Sequence, residues 1–250
     1  MKPYYEHAGI TIYCGDCRDF ATTDAVDVVI ADPPYGDTSL DWDVRVEGWT
    51  NAMELVLANS GSMWVFGSFR YFFEQSAIFA TWSLAQDIIW RKQNGSNFHA
   101  DRFKRVHELV VQFYRGEWAR IFKNPIKEKA VEGKRVIRAR RPPHFGHIEQ
   151  SAYRRERGGE VLMQSVIDVP NCHGYAEHPT QKPTGIIDPL LRYSCPPSGR
   201  VVVPFSGAGS ELLQAKRLGL RAIGIEIEEK YCEIAAKRLS QEVLQFKSDG

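Results

Sequence analysis

Short apolar runs alternate with amphipathic stretches in two separate parts of this chain, which restricts it to an α/β architecture more tightly than any other feature. In the first part, Ile10-Thr11-Ile12-Tyr13 reads as a strand. Val26-Asp27-Val28-Val29-Ile30-Ala31 reads as a buried strand running into a proline stop. A helical pattern over residues 49–58 follows, then a strand at 62–66 ending at Gly67, an aromatic-rich helix over 69–82, a strand at 87–90 and a closing strand at 107–114. In the second part Pro183 opens a helix that runs to about residue 193, as proline is tolerated in a first helical turn. A strand at 200–203, a glycine turn, a helix over 210–218, a strand at 221–225 and a helix over 229–239 complete the pattern. Such alternation predicts a mostly parallel sheet of about seven strands with helices on both faces. Between the two parts the chain is irregular and carries Pro125, Pro142, Pro143, Gly158 and Gly159. The expected division is therefore one domain from residues 1–115 and 176–250, with an insert at 116–175.

Formal charge is nearly balanced at +1 over 250 residues, yet it is segregated. Residues 91–157 hold 18 Lys and Arg against 7 Asp and Glu, a net of +11, and the remainder of the chain carries −10. The densest part contains Lys134, Arg135, Arg138, Arg140 and Arg141, followed by Arg154 and Arg155. A solvated loop explains most charge runs, but a basic island set in an acidic remainder is the expected footprint of a polyanion, because each neutralised phosphate releases condensed counterions.

Two local patterns carry chemistry. Phe205-Ser206-Gly207-Ala208-Gly209 follows a strand and opens a helix, and Glu226 ends the next strand, 17 residues beyond the second glycine. Glycines let a ligand approach the backbone, and a carboxylate at the tip of the second strand accepts hydrogen bonds from ribose hydroxyls. The third glycine of a dinucleotide fingerprint is replaced by Leu212, which disfavours a pyrophosphate cofactor. In the other pattern, a buried strand delivers Asp32-Pro33-Pro34-Tyr35 to the carboxyl edge of the sheet, where open α/β folds bind ligands. Two prolines donate no N–H, so the carbonyls there are available as acceptors. A carboxylate and a carbonyl accepting the two hydrogens of an exocyclic base amine would aim its nitrogen lone pair at an electrophile, with Tyr35 placed to stack on an extruded base. A Pro-Pro turn with a helix-capping Asp is the plainer alternative.

Asp32-Pro33-Pro34-Tyr35, His178-Pro179-Thr180-Gln181-Lys182-Pro183 and Phe205-Ser206-Gly207-Ala208-Gly209, in that order, resemble the motifs of β-class DNA amino-methyltransferases, the adenine-N6 and cytosine-N4 enzymes of restriction-modification and phage systems. The resemblance covers nearly the whole chain and is weakest in the middle. It implies a Rossmann-like S-adenosylmethionine methyltransferase fold with circularly permuted motif order and an inserted basic target-recognition region. It also implies S-adenosyl-L-methionine as cofactor and double-stranded DNA as partner, in a family whose members are often homodimers. On matching positions, Asp32 and the Pro33 carbonyl would bind the target amine, and Tyr35 would stack on the flipped base. Phe205, Gly207 and Gly209 would line the methionine and ribose end of the cofactor, with Glu226 on the ribose hydroxyls. Asp16 would meet the adenine, and Thr180 and Lys182 the cofactor carboxylate. The stretch Ile89-Trp90-Arg91-Lys92-Gln93-Asn94-Gly95 resembles the family segment that helps hold the flipped base. One departure is clear: the acid that commonly precedes Pro-Phe, and its contact to the cofactor amine, is replaced by Val203. Asp at the head of the tetrad favours adenine-N6 over cytosine-N4, where Ser is commoner. A DNA-binding protein that has lost catalysis remains the reading from another class.

Other patterns are weaker. Cys14-x-x-Cys17 lacks a second pair, and His144 and His147 have only partial metal spacing, so no metal is expected. Trp42 lies in the loop after the tetrad, as a packed aromatic or a cover over the cofactor. Five sparse cysteines, a polar start and no apolar run near the roughly 20 residues of a membrane span predict a cytoplasmic, nucleoid-associated protein without membrane attachment.

Overall fold

The computed structural model describes residues 1–38, 40–41, 43–93, 100–129, 137–138, 153–154, 159–172 and 181–241, with backbone alone at 137–138 and 153–154. Its strands in chain order are β1 (Tyr5–His7), β2 (Ile10–Cys14), β3 (Val26–Ala31), β4 (Leu57–Gly67), β5 (Ser83–Arg91), β6 (His107–Tyr114), β7 (Lys127–Lys129), β8 (Ile137–Arg138), β9 (Tyr153–Arg154), β10 (Glu160–Leu162), β11 (Val166–Asp168), β12 (Arg200–Val203) and β13 (Arg221–Glu226). The α-helices are α1 (Trp49–Val56), α2 (Phe69–Glu74), α3 (Thr184–Ser194), α4 (Ser210–Arg217) and α5 (Glu229–Ser240).

Nine strands form one sheet in the order β1-β2-β13-β12-β3-β4-β6-β5-β11. From β2 to β4 every neighbour is parallel. β6 runs antiparallel to both β4 and β5, and the three-residue strands β1 and β11 extend the two edges. The parallel strands are apolar on both faces, as they must be when helices cover each side. On one face α1 buries Trp49, Ala52, Met53 and Val56 in a cluster with Val29, Met63, Val65 and Val202. On the other, the indole of Trp64 donates to Ser194 Oγ at the end of α3, at 3.0 Å.

The aromatic stretch expected as one helix breaks after α2 into a 3-10 turn at Ser76–Phe79. Phe69 and Phe73 face solvent, whereas Phe79 stacks on Phe113 with ring centroids 4.5 Å apart. The tighter turn carries Phe79 to the sheet, which a continued α-helix would have to do at a different phase.

Contacts divide the chain into two units, residues 1–124 with 165–250, and Pro125–Gln164. The segment 116–175 is thus shared between them, because β11 within it pairs in parallel with β5 of the main sheet. The smaller unit contains the antiparallel pairs β7 with β10 and β8 with β9.

Candidate active site

Strand order explains why two motifs far apart in the chain share one site. β3 and β12 are parallel neighbours, with Val29 opposite Val202, so Asp32 and Pro204 leave adjacent strands at the same edge. β13 lies beside β12 and β2 beside β13, with Glu226 opposite Cys14, which brings Glu226 and Asp16 to the same rim. The order in which successive strands are added reverses between β12 and β3, from β3 to β4 on one side and from β12 to β13 on the other, and at such a switch point the loops diverge and leave a crevice. The crevice is a cavity of about 610 Å³, within the range of small-molecule sites. Asp16, Asp32, Pro34, Lys182, Phe205, Gly207 and Glu226 all line it.

On the glycine side, Glu226 is held by the backbone. Its Oε2 accepts from the N–H of Gly207 at 2.8 Å and its Oε1 from the N–H of Glu228 at 2.9 Å. Burial nevertheless raises its pKa above the ordinary carboxylate range, against these two donors. Phe205 meets Trp49 of α1 edge to face, with centroids 5.5 Å apart. Gly209, the residue before α4, has φ of +74°, and a Cβ there would lie 3.0 Å from that of Ala235. Gly209→Ala combines left-handed strain with that contact and should cost about 1–3 kcal/mol, read as a Tm lower by roughly 2–4 °C per kcal/mol in thermal unfolding.

Asp16 is bound by Arg18, whose Nη2 lies 2.6 Å from Oδ2, and this hydrogen bonding lowers the carboxyl pKa. The loop between the tetrad and α1 borders the cavity through Asp41, Val44, Arg45, Val46 and Glu47. It is pinned from within, as Asp43 accepts from the N–H groups of Gly36 and Thr38 and from Thr38 Oγ1. Arg45 Nε also donates to the Tyr35 carbonyl at 2.8 Å.

The tetrad sits on a buried ionic network that includes one residue, Glu108, that sequence reasoning did not single out for a site. Asp32 Oδ1 accepts from the Tyr35 hydroxyl at 2.6 Å, and Oδ2 accepts from Lys182 Nζ at 2.6 Å. Lys182 also lies 3.6 Å from Glu108 Oε2, and Lys92 Nζ lies 3.0 Å from Glu108 Oε1. Two acids and two bases balance. Burial and the nearby Glu108 charge raise the Asp32 pKa, with Lys182 and Tyr35 opposing. Burial alone would lower the Lys182 ammonium, but Asp32 and Glu108 override it and the net shift is upward. Burial likewise works against Glu108 ionising, and Lys182 and Lys92 reverse it. Lys182 thus makes its short contact with the tetrad acid, on the wall of the cavity where the cofactor carboxylate was expected to meet it.

Several expected residues lie outside the described ones: Thr180, Trp42, Asn94, Gly95, His144, His147, Lys134, Arg135, Arg140, Arg141 and Arg155, while Arg138 and Arg154 are described by backbone alone. In the described part of the basic stretch, much of the charge is matched within the fold. Arg91 pairs with Asp168, Arg102 with Asp101, Arg105 with Asp37, Arg115 with Glu54 and Arg120 with Glu117. Among the described residues no cluster of three His, Cys, Asp or Glu could hold a metal ion, and no helix is long and apolar enough to cross a membrane.

The fold is that of S-adenosylmethionine-dependent DNA methyltransferases. A crystal structure of M1.HpyAVI with S-adenosylmethionine matches with a TM-score of 0.61 at 22% identity, covering 92% of this chain and 99% of that one. The PvuII DNA methyltransferase, described as cytosine-N4-specific, matches with a TM-score of 0.68 at 16% identity, covering 96% and 90%. The DNA methylase family N6_N4_Mtase matches residues 26–237, and the chain belongs to it. Relatives include the type II methyltransferase M.HinfI of Haemophilus influenzae, 28% identical over 92% of this chain and 68% of its own. Another is M2.LlaDCHI of Lactococcus lactis subsp. cremoris, 25% identical over 96% and 93%.

The family's cofactor fits the residues present. The cavity offers Glu226 and Asp16 as acceptors at one end. Elsewhere on its wall are the hydroxyls of Ser206 and Ser210, buried without a partner among the described residues. Unpaired buried hydroxyls carry a desolvation cost that a polar ligand removes.

Proposed function

We propose that this DNA methyltransferase is a site-specific adenine-N6 enzyme that acts on a base extruded from the duplex. The observation that carries the reading is the buried Asp32 carboxylate at the wall of the cavity that also takes the glycine turn. S-adenosylmethionine, when bound, supplies an electrophilic methyl on a sulfonium. The chain's own part is orientation. Each Asp32 oxygen already holds one hydrogen bond and keeps a lone pair for the N6 amine, and the Pro33 carbonyl takes the other amine hydrogen. A negative Asp32 also stabilises the positive charge that develops on nitrogen as its bond to carbon forms, and accepts the proton that leaves. Tyr35, 5.4 Å from Tyr71 between ring centroids, gives the base an aromatic wall.

Glu226 is assigned to the ribose hydroxyls, Asp16 to the adenine and Phe205 to the apolar packing of the cofactor. Residues 116–175, with Lys134, Arg135, Arg138, Arg140, Arg141, Arg154 and Arg155, are assigned to duplex recognition. The cytosine-N4 reading is favoured only by the specificity of the PvuII neighbour, whose identity to this chain is 16%.

The test is nucleoside analysis and modified-base sequencing of DNA from cells expressing the protein. N6-methyladenine in one sequence context is the expected result, and N4-methylcytosine alone would overturn the base assignment. Binding to duplex should weaken with salt by about 0.9 log units per log unit of salt for each phosphate neutralised, and charge-reversing Arg140 and Arg141 together should reduce that slope.

A further inference from the structure

We infer that Glu211 is the carboxylate that receives the α-ammonium at the methionine end of the cofactor. The inference rests on the cavity being the cofactor site and adds a residue to it. Glu211 lies in the first turn of α4, 5% exposed, and lines the cavity beside Ser210. The charges facing it come from three elements: Asp32 after β3, Lys182 before α3 and Arg238 on α5.

The cations near Glu211 are occupied elsewhere. Lys182 makes its short contact with Asp32, within a network whose two acids and two bases already balance. Arg238 Nη1 donates to the Ala208 carbonyl. Among the described residues no ion pair within 4.0 Å joins Glu211 to a cation, and a buried carboxylate without one is costly to ionise. Burial, reinforced by Asp32, raises its pKa to about 7, while its own backbone N–H, Lys182 and Arg238 oppose. An arriving cation completes the charge balance and draws the group into its ionised form.

The cofactor offers two cationic centres, the sulfonium and the α-ammonium. With the ribose at Glu226, beside Gly207, the amino-acid end is assigned to the first turn of α4, where Ser210 and Glu211 line the cavity and Glu211 feels the Asp32 and Lys182 charges of the acceptor side. Glu211 repels the cofactor carboxylate, which leaves the hydroxyls of Ser206 and Ser210 to that group and Glu211 to the ammonium. Val203, at the position where the resemblance leads one to expect an acid, is 1% exposed and does not line the cavity. The acid that this chain presents to the cavity lies at the helix start and not at the strand end.

Binding titrations with three ligands test this. S-adenosylmethionine carries both cations, S-adenosylhomocysteine only the ammonium, and methylthioadenosine neither the ammonium nor the sulfonium. Glu211→Gln should weaken the first two equally, by about tenfold or more, as for the loss of one charge-assisted hydrogen bond, and leave the third unchanged. The affinity of the parent protein for S-adenosylhomocysteine should rise between pH 6 and 8, as Glu211 ionises, and stay flat in the variant. The ligand-free variant should melt no lower than the parent at pH 8, since the cost of ionising a buried acid is gone. Loss confined to S-adenosylmethionine would assign Glu211 to the sulfonium, and undiminished binding of both would assign it no ligand contact; either result overturns the proposal. Glu226→Gln serves as the control: if it weakens none of the three ligands, the placement of the cofactor in this cavity fails instead.

Discussion

Asp32→Ala should abolish methyl transfer, by about a thousandfold or more, while the cofactor dissociation constant moves by no more than about twofold. The asymmetry follows from position. Asp32 follows β3 on the acceptor side of the crevice, whereas the groups assigned to ribose, adenine and cofactor packing lie at the ends of β13, β2 and β12. Its removal takes away the acceptor that fixes the amine and the charge that stabilises the transition state. The Gly207 and Glu228 N–H bonds to Glu226 are left intact. Single-turnover transfer from labelled cofactor and equilibrium binding to the same variant separate the two. Unchanged turnover would remove Asp32 from the mechanism. Asp32→Asn, which preserves an acceptor for Lys182, should retain folding and still lose most of the rate.

The second large effect concerns Lys182. Lys182→Met should destabilise the fold by about 3–5 kcal/mol, because it leaves Asp32 and Glu108 buried with Lys92 as the remaining cation of the network. It should also move the acid limb of the pH–rate profile to higher pH. The sign is fixed by the working form, which is the ionised Asp32. Lys182 opposes the upward push of burial, so its loss raises the Asp32 pKa and the carboxylate forms only at higher pH. Glu108→Gln should move the same limb the other way, since the Glu108 charge helps to keep Asp32 high. A limb unmoved in both variants, with cofactor binding weakened in Lys182→Met, would instead place Lys182 on the cofactor carboxylate.

Much of the scaffold was legible in the sequence, because punctuation and periodicity agree there. Val26–Ala31 stops at a proline pair, Arg200–Val203 ends at Pro204 before a glycine turn, and both edges were expected where they lie. The three-residue strands β1 and β11 were not legible, as so short a run carries no period and owes its state to a partner strand. The antiparallel course of β6 depends on pairing rather than on its own residues.

In the site, Asp32 and Glu226 were legible because motifs frame them. Glu108 and Glu211 were not. Glu108 occupies a strand between His107 and Leu109, and Glu211 a helix start where acids are ordinary; only their burial sets them apart. The basic stretch shows a different limit of reading by composition. A count of charges sees +11, whereas Arg91, Arg105 and Arg115 are each matched by an acid distant in sequence.

The sheet order has a consequence for synthesis. β2 and β3 are made before the insert but are not neighbours; β12 and β13, the last strands among the described residues, fill the slot between them. A nascent polypeptide that has emerged only as far as the insert therefore holds two unsatisfied edges facing a gap two strands wide. Ribosomes stalled before β12 would release chains prone to pair with one another, and the crevice cannot close until β12 and β13 have been made.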